Sequence, residues 1–361
     1  MRKGKYLNEN ERYVIEVELR ANTSISEIAR KLGRARCTIQ REIARGKCEQ
    51  IVNYKTHATK WVYKADFAER AAIQRQSTKG TGLKIGHDLH TAMVLESLIL
   101  DNKWSPDAAL GYAIRNNLIT TIITTPTLYA YIKAGVLNVT EKDLPRQGAQ
   151  RKRAQEHYRH AHRNIRGKSI EERPLEAASR EVMGHWEGDL IVGKKGTKTV
   201  CLTLVERKTR YVIVRELPSK HACNVIRELD RLEKRLGTLF PQVFKSITFD
   251  CGTEFSNDKA MERSRHKIRR KRGEPRTQIY YAHPYCSSER GSNENCNGIL
   301  RRAGIPKKSN IGTLGTDAVK KAAAWTNNLP RRVLGYQTAA EAFAAEMSAL
   351  GAQQLSMLSV A

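Results

Sequence analysis

Three acidic residues in the second half of the chain sit where carboxylates can do chemistry. Asp189 lies in Gly-His-Trp-Glu-Gly-Asp-Leu-Ile, Asp250 in Ile-Thr-Phe-Asp-Cys-Gly-Thr-Glu, and Glu294 in Gly-Ser-Asn-Glu-Asn-Cys-Asn-Gly. Asp189 interrupts a strand-like run, Asp250 closes one, and Glu294 opens a helix-like run. Carboxylates delivered from separate elements to one point suit hard divalent cations, which take oxygen ligands. Two Mg²⁺ ions would relieve the repulsion of three clustered acids, activate an attacking water or 3′-hydroxyl and stabilise a leaving oxygen; Mn²⁺ is not separable from Mg²⁺ by ligand type. On the helix, Arg290, Asn297, Gly298 and Arg301 share the face of Glu294 at spacings of three, four and seven.

The rest of the composition says which substrate such a centre would meet. The 361 residues carry 64 Lys plus Arg against 37 Asp plus Glu, a formal net charge of +27. That field favours a polyanion. No run approaches the roughly 20 apolar residues of a spanning helix, which argues against a membrane. The first residues are basic, with no apolar core after them to make a signal peptide. Seven cysteines without a C-x-x-C pair fit reduced thiols in the cytoplasm. Cys251, His283, Cys286 and Cys296 are grouped, but at no usual zinc spacing.

The chain is too long for one ordinary domain. Residues 1–47 read as a helix-turn-helix domain. Tyr13, Val14, Val17 and Leu19–Ala21 give a first apolar face, Ser24 and Glu27 a capping box, and Gly33 a left-handed stop. On the next helix Ile39 and Ile43 face inward. Arg36, Thr38 and Gln40 are then placed for base edges and Arg41 and Arg45 for DNA phosphates, with Arg34 on the same DNA-binding outer face. Residues 48–144 read as helical, including a helix from Ala58 to Ile73, one from His87 to Leu100, one opened by Ser105-Pro106, and one over 122–137. A second helix-turn-helix with Thr127, Tyr129 and Lys133 near DNA is one reading of this region; a spacer or dimerisation unit is the other. Residues 145–175 read as a basic linker, with the main domain boundary there.

From 176 to 346 the pattern becomes α/β, with 347–361 as a C-terminal tail. Strands are expected at Trp186–Val192, Val200–Glu206, Tyr211–Leu217, Phe244–Phe249 and Ile279–Ala282. Helices are expected at His221–Leu236, 287–303 and, with Thr338 and Glu341 as a capping box, 318–346. This order describes a layered domain with a mixed five-stranded sheet.

GHWEGDLIVG, ITFDCGTEF, YAHPYCSSERGSNENCNGILRR and NNLPRRVLGYQTAAEAF resemble the catalytic domain of the insertion-sequence-thirty family of bacterial transposases. SISEIARKLGRARCTIQREIARG is similar to that family's helix-turn-helix. The resemblance implies a ribonuclease-H-like core whose Asp-Asp-Glu triad falls on Asp189, Asp250 and Glu294. It implies a transposase that binds terminal inverted repeats, cleaves strands and transfers them to a target. Its partners would be double-stranded DNA of element ends and target, and further copies of the chain on that DNA. Asn293, Asn295 and Asn297 would position the helix or contact DNA, and Arg290 would hold a phosphate. Glu254 and Glu289 compete for the third acidic place but lack the Asn-Glu-Asn context. Departures from the family pattern are Cys251 in place of Asn, His283 in place of an acid, Ser288 in place of an aromatic residue, and a longer stretch between Asp250 and Glu294. The excess matches the basic segment ERSRHKIRRKRGEPR at 262–276, read as a DNA-gripping loop or a plain insertion. The alternative function is an inactive relative that binds DNA sequence-specifically as a regulator.

Overall fold

The computed structural model describes residues 6–53, 57–77, 82–86, 88–145, 167–283 and 286–351. Residues 146–166, the greater part of the expected linker, lie outside them, as does the tail from 352. The chain divides into two compact units, Met1–Gly86 and His87–Ala361.

The first unit contains α1 (Glu9–Arg20), α2 (Ile25–Leu32), α3 (Arg36–Arg45), an antiparallel pair β1 (Lys47–Asn53) and β2 (Ala58–Tyr63), and α4 (Ala65–Ser77). Ser24 caps α2 by accepting the Glu27 N–H at 3.3 Å, and Gly33 closes it at φ 60°. Ile15, Ile28, Ala29, Ile39, Tyr63 and Ala68 form the core. The inward face of α1 differs from the expected one. Tyr13, Val14 and Val17 are exposed, while Arg12, Ile15 and Glu16 are buried. Two charged residues disguise that face. Arg12 pairs with Glu42 at 2.6 Å, and Glu16 accepts the Ala65 N–H at 2.7 Å, so neither is left unpaired inside. The helix expected from Ala58 gives way to strand β2, whose Thr59, Trp61, Val62 and Tyr63 favour extended backbone. The region is therefore not all-helical.

The second unit opens with α5 (Leu89–Leu100), α6 (Pro106–Arg115) and α7 (Thr125–Lys133). After the short α8 (Leu175–Ser179) come β3 (His185–Val192), β4 (Val200–Glu206), β5 (Val212–Leu217), α9 (Ala222–Leu236), α10 (Phe240–Val243) and β6 (Ser246–Phe249). Then follow α11 (Asp258–Glu262), α12 (Lys267–Arg272), β7 (Gln278–Tyr281), α13 (Gly291–Ala303), α14 (Ile311–Leu314), α15 (Thr316–Asn327) and α16 (Ala339–Ala349). The sheet has the order β5-β4-β3-β6-β7. β4 runs antiparallel to its neighbours β3 and β5, and β3, β6 and β7 run parallel. It is the expected mixed five-stranded sheet. Alternation along β3 sends Trp186 and Leu190 into one core with α9, and Ile191 into another with Cys296 and Leu300 of α13. Trp186 stacks on Phe244 at 4.6 Å and donates its indole N–H to the Val243 carbonyl at 2.6 Å.

Helices α5–α7 belong to this unit, so the chain does not divide at 145–175. The Trp325 indole donates to the Asn102 carbonyl at 2.8 Å, and Arg115 pairs with Glu341 at 3.2 Å. Gly111 of α6 lies so close to the Tyr336 ring that a Cβ there would stand 2.1 Å from it. The expected helix over 318–346 is two helices separated by a turn, with Pro330 just after α15 and Thr338 capping α16 in a two-way box with Glu341.

Candidate active site and nucleic-acid interface

The parallel register of β3 and β6 pairs Glu187 with Thr248. Two residues on, Asp189 sits within β3 and Asp250 just past the end of β6, so continuing the register sets them side by side. Arg290, at the start of α13, bridges them. Its guanidinium donates to Asp250 Oδ2 at 3.2 Å, lies 3.6 Å from Asp189 Oδ1, and donates to the Gly188 carbonyl at 3.1 Å. Asp189 Oδ1 also accepts the Leu190 N–H at 2.9 Å, and Oδ2 accepts the Asn297 amide at 2.7 Å. Thr203, opposite Asp189 on β4, donates to the Asp189 carbonyl at 3.2 Å. Asp250 Oδ1 accepts the Gly252 N–H at 3.1 Å. Burial pushes the Asp189 carboxyl above the usual range; Arg290 opposes the shift and Asp250 adds to it. A cation already lies between two oxygen donors, so the pair suits a hard divalent ion.

Helix α13 is tied to β3 by a buried carboxylate. Glu187, on the same strand face as Asp189, pairs with Arg207 and accepts the Asn293 N–H at 3.1 Å. Glu294 follows directly. Its side chain is exposed and makes no hydrogen bond or ion pair with any described residue. It lies on the helix stripe between Arg290 and Asn297, both of which touch Asp189. Among the described residues no three His, Cys, Asp or Glu side chains form a metal-holding group; Asp189 and Asp250 are brought together by the Arg290 they share. The Cys251 thiol donates to the Ala282 carbonyl at 3.4 Å. Glu289 is occupied with His283, at 2.8 Å from its ring Nδ1. Asn293 is 1 % exposed, so its expected contact with DNA is corrected: the side chain faces inward. Asn297 orients Asp189 and Arg290 bridges two carboxylates; neither is turned out for DNA.

In the first unit Arg36, Thr38, Gln40, Arg41 and Arg45 are all exposed on α3 while Ile39 is buried. Arg34 departs from the expectation. It turns back to pair with Glu11 at 2.9 Å and donates to the Tyr6 carbonyl at 3.1 Å, which fixes the turn before α3 rather than offering a cation to phosphate. On α7, Tyr129 and Lys133 are exposed and Thr127 is half-buried.

A helix-turn-helix domain model matches residues 3–46, and an integrase core domain model matches residues 179–278. A probable transposase for the insertion-like sequence element IS1161 of Streptococcus salivarius is 34 % identical, over 94 % of each chain. The transposase InsI for insertion sequence element IS30C of Escherichia coli K12 is 31 % identical over 93 % of this chain and 82 % of its own. The chain belongs to the insertion-sequence-thirty family of transposases. A solved structure with likeness is the catalytic core domain of BIV integrase, 19 % identical, covering 46 % of this chain and 98 % of that one at a TM-score of 0.33. In this transposase the integrase-core match takes in Asp189 and Asp250 but ends before Arg290 and Glu294. No described helix is long and apolar enough to cross a membrane. Sequence reasoning passed over Glu187 and Arg207, although the strand period alone puts Glu187 on the face of Asp189. It also missed that Arg290 would pair with the acids, since nothing in the spacing says where the helix start meets the sheet.

Proposed function

We propose that the transposase holds the terminal inverted repeats of its element through α3, and that Asp189, Asp250 and Glu294 form an Asp-Asp-Glu set for strand cleavage and strand transfer. Asp189 and Asp250 are the oxygen donors of first resort, with Glu294 completing the set, for a pair of Mg²⁺ or Mn²⁺ ions. Such ions, when bound, activate a water or 3′-hydroxyl and stabilise the leaving oxygen. The chain's own part is orientation. Asn297 and the Leu190 N–H fix both oxygens of Asp189. Gly252 fixes one oxygen of Asp250. Glu187 and Arg207 hold the start of the helix that carries Glu294. Arg290 supplies counter-charge to the two aspartates. Arg36, Thr38 and Gln40 read base edges while Arg41 and Arg45 meet phosphates. Joining two element ends requires copies of the chain assembled on DNA.

The observation that carries this reading is the pair of aspartates set side by side by the register of two parallel strands, with a guanidinium between them. Asp250→Asn removes one charge without changing shape. Full-length variant is expected to bind element-end duplexes as the unaltered chain does, and to cut and join them at least about a hundredfold more slowly, as loss of a metal-holding or charge-stabilising group does. Unchanged Mg²⁺-dependent cleavage by the variant would remove Asp250 from the chemistry. A full chain that binds ends but cuts none with any divalent ion would favour the regulator instead.

A further inference from the structure

The basic segment at 262–276 is folded, and its anchoring defines a second charged surface. Arg276 is fully buried and donates to Asp230 at 2.6 Å and to Glu233 at 3.2 Å, both on α9. The Ser264 hydroxyl and the Arg265 N–H, the latter at 2.9 Å, also bond Glu233. Arg265 Nε lies 3.1 Å from Asp230. The two acids between α9 and α12 are thus consumed by the anchor. What faces outward is cationic. Arg227, Arg231 and Lys234 fall at i, i+4 and i+7 on one stripe of α9, and with Lys267 of α12 they line a groove of about 780 Å³. All four are exposed. Lys234 and Lys267 have no carboxylate partner among the described residues. Arg231 reaches Glu228 at 3.0 Å but stays 65 % exposed.

Resting on the reading of the chain as a DNA transposase, we propose that this groove holds the phosphate backbone of duplex DNA outside the cleavage site. The stripe spans about 10 Å of helix at 1.5 Å per residue. Along one strand the charges advance about 3.4 Å on the axis while winding round it, so the stripe meets about two phosphates. Long cations without amide or hydroxyl groups among them suit phosphates, not base edges. The groove is separate from the carboxylates. β7 begins just after Arg276, and its first residue, Gln278, pairs with Ser246 at the start of β6, four residues before Asp250. At about 3.3 Å per residue that is about 13 Å of strand. Helix α9 packs into the core of Trp186, on the sheet face opposite α13. DNA in the groove is therefore a different stretch from the one beside Asp189 and Asp250.

The test is the salt dependence of binding of the full chain to a random-sequence duplex of about 40 base pairs, without divalent metal. The variant combines Arg227→Gln, Arg231→Gln, Lys234→Gln and Lys267→Gln. A matched variant removes four exposed lysines elsewhere, Lys142, Lys195, Lys307 and Lys321. Each phosphate contact contributes about 0.9 to the slope of log affinity against log salt. The groove variant is expected to lose about 2–4 from that slope and the matched variant less than about 1. The double variant Lys234→Gln with Lys267→Gln, least able to disturb the fold, is expected to lose about 1–2. Equal losses in groove and matched variants, or an unchanged slope, would overturn the proposal. Altered self-association with an unchanged slope would also overturn it, in favour of an acidic face of a second copy. Because binding is read without metal and cleavage only with it, failure here and failure of the cleavage reading are told apart.

Discussion

Arg290 is the residue on which the two aspartates depend when no ion neutralises them. Its guanidinium donates to Asp250 at 3.2 Å and stands 3.6 Å from Asp189, so two carboxylates set side by side share one counter-charge. Without it they repel, and a divalent ion becomes worth more to the fold. Mg²⁺ is therefore expected to raise the melting temperature of Arg290→Gln by about 2–4 °C more than that of the unaltered chain, as about 1 kcal/mol of extra linkage would. Equal shifts in a thermal-melt titration would show that Arg290 is no counter-ion. His185 sets a second residue-scale expectation. It is buried between Ser246 at 2.7 Å and Glu176 at 3.2 Å, and burial lowers its pKa, with Glu176 opposing. A depressed folded value means the neutral ring stabilises the domain above the ordinary histidine value, and that this stability is lost as pH falls through the folded value. Urea midpoints measured from pH 7.5 downward are expected to fall, from below about 6.5, more steeply for the unaltered chain than for His185→Gln. Parallel curves would contradict the assignment.

Strand β3 illustrates how an element serves the site. Its alternation puts Glu187 and Asp189 on the α13 face and Trp186 in the opposite core, while Gly188 leaves room for the Phe249 ring of β6, which a Cβ would meet at 2.1 Å. Gly188→Ala is expected to cost about 1–3 kcal/mol of overpacking, read as a lowered urea midpoint, with a smaller cost in a chain that also carries Phe249→Leu. Additive costs would mean that the close approach is not what the glycine serves. The strands of this sheet were legible in the sequence because buried parallel and central strands write near-continuous apolar runs such as Val-Cys-Leu-Thr-Leu-Val at 200–205. The Thr338 cap was legible because its two hydrogen bonds need only local spacing. The buried face of α1 was not, because Arg12 and Glu16 enter the interior as partners of residues far along the chain. Strand β2 was misread for a related reason: of its six residues only Tyr63 is buried, so it writes no apolar alternation. The candidate site divides the same way. Asp189 and Asp250 could be paired from strand order, whereas the Arg290 bridge and the inward turn of Asn293 depend on where α13 docks.

At the scale of the molecule, the groups proposed to face DNA in this chain of net charge +27 lie on separate units. The first unit has its own core, built from Ile15, Ile28, Ile39 and Tyr63. A fragment of residues 1–86 is expected to fold cooperatively and to bind element-end DNA with sequence preference, but with a smaller salt slope than the full chain, since the contacts of the second unit are lost. Equal slopes in fluorescence anisotropy would place all phosphate contacts on the first unit. The second unit binds α5–α7 to the sheet domain through Trp325 and Tyr336, so cutting the chain at 145 would expose both partners. The claim that joins these scales is that β3, β6 and α13 deliver oxygen donors to one divalent centre. Its most direct test is an anomalous difference map from crystals soaked in Mn²⁺. The account predicts a peak held by both Asp189 and Asp250 with Glu294 turned to join them, at metal–oxygen distances of about 2.0–2.2 Å, as hard ions show. A map with manganese bound elsewhere, or on one aspartate alone with Arg290 still bridging the pair, would contradict it.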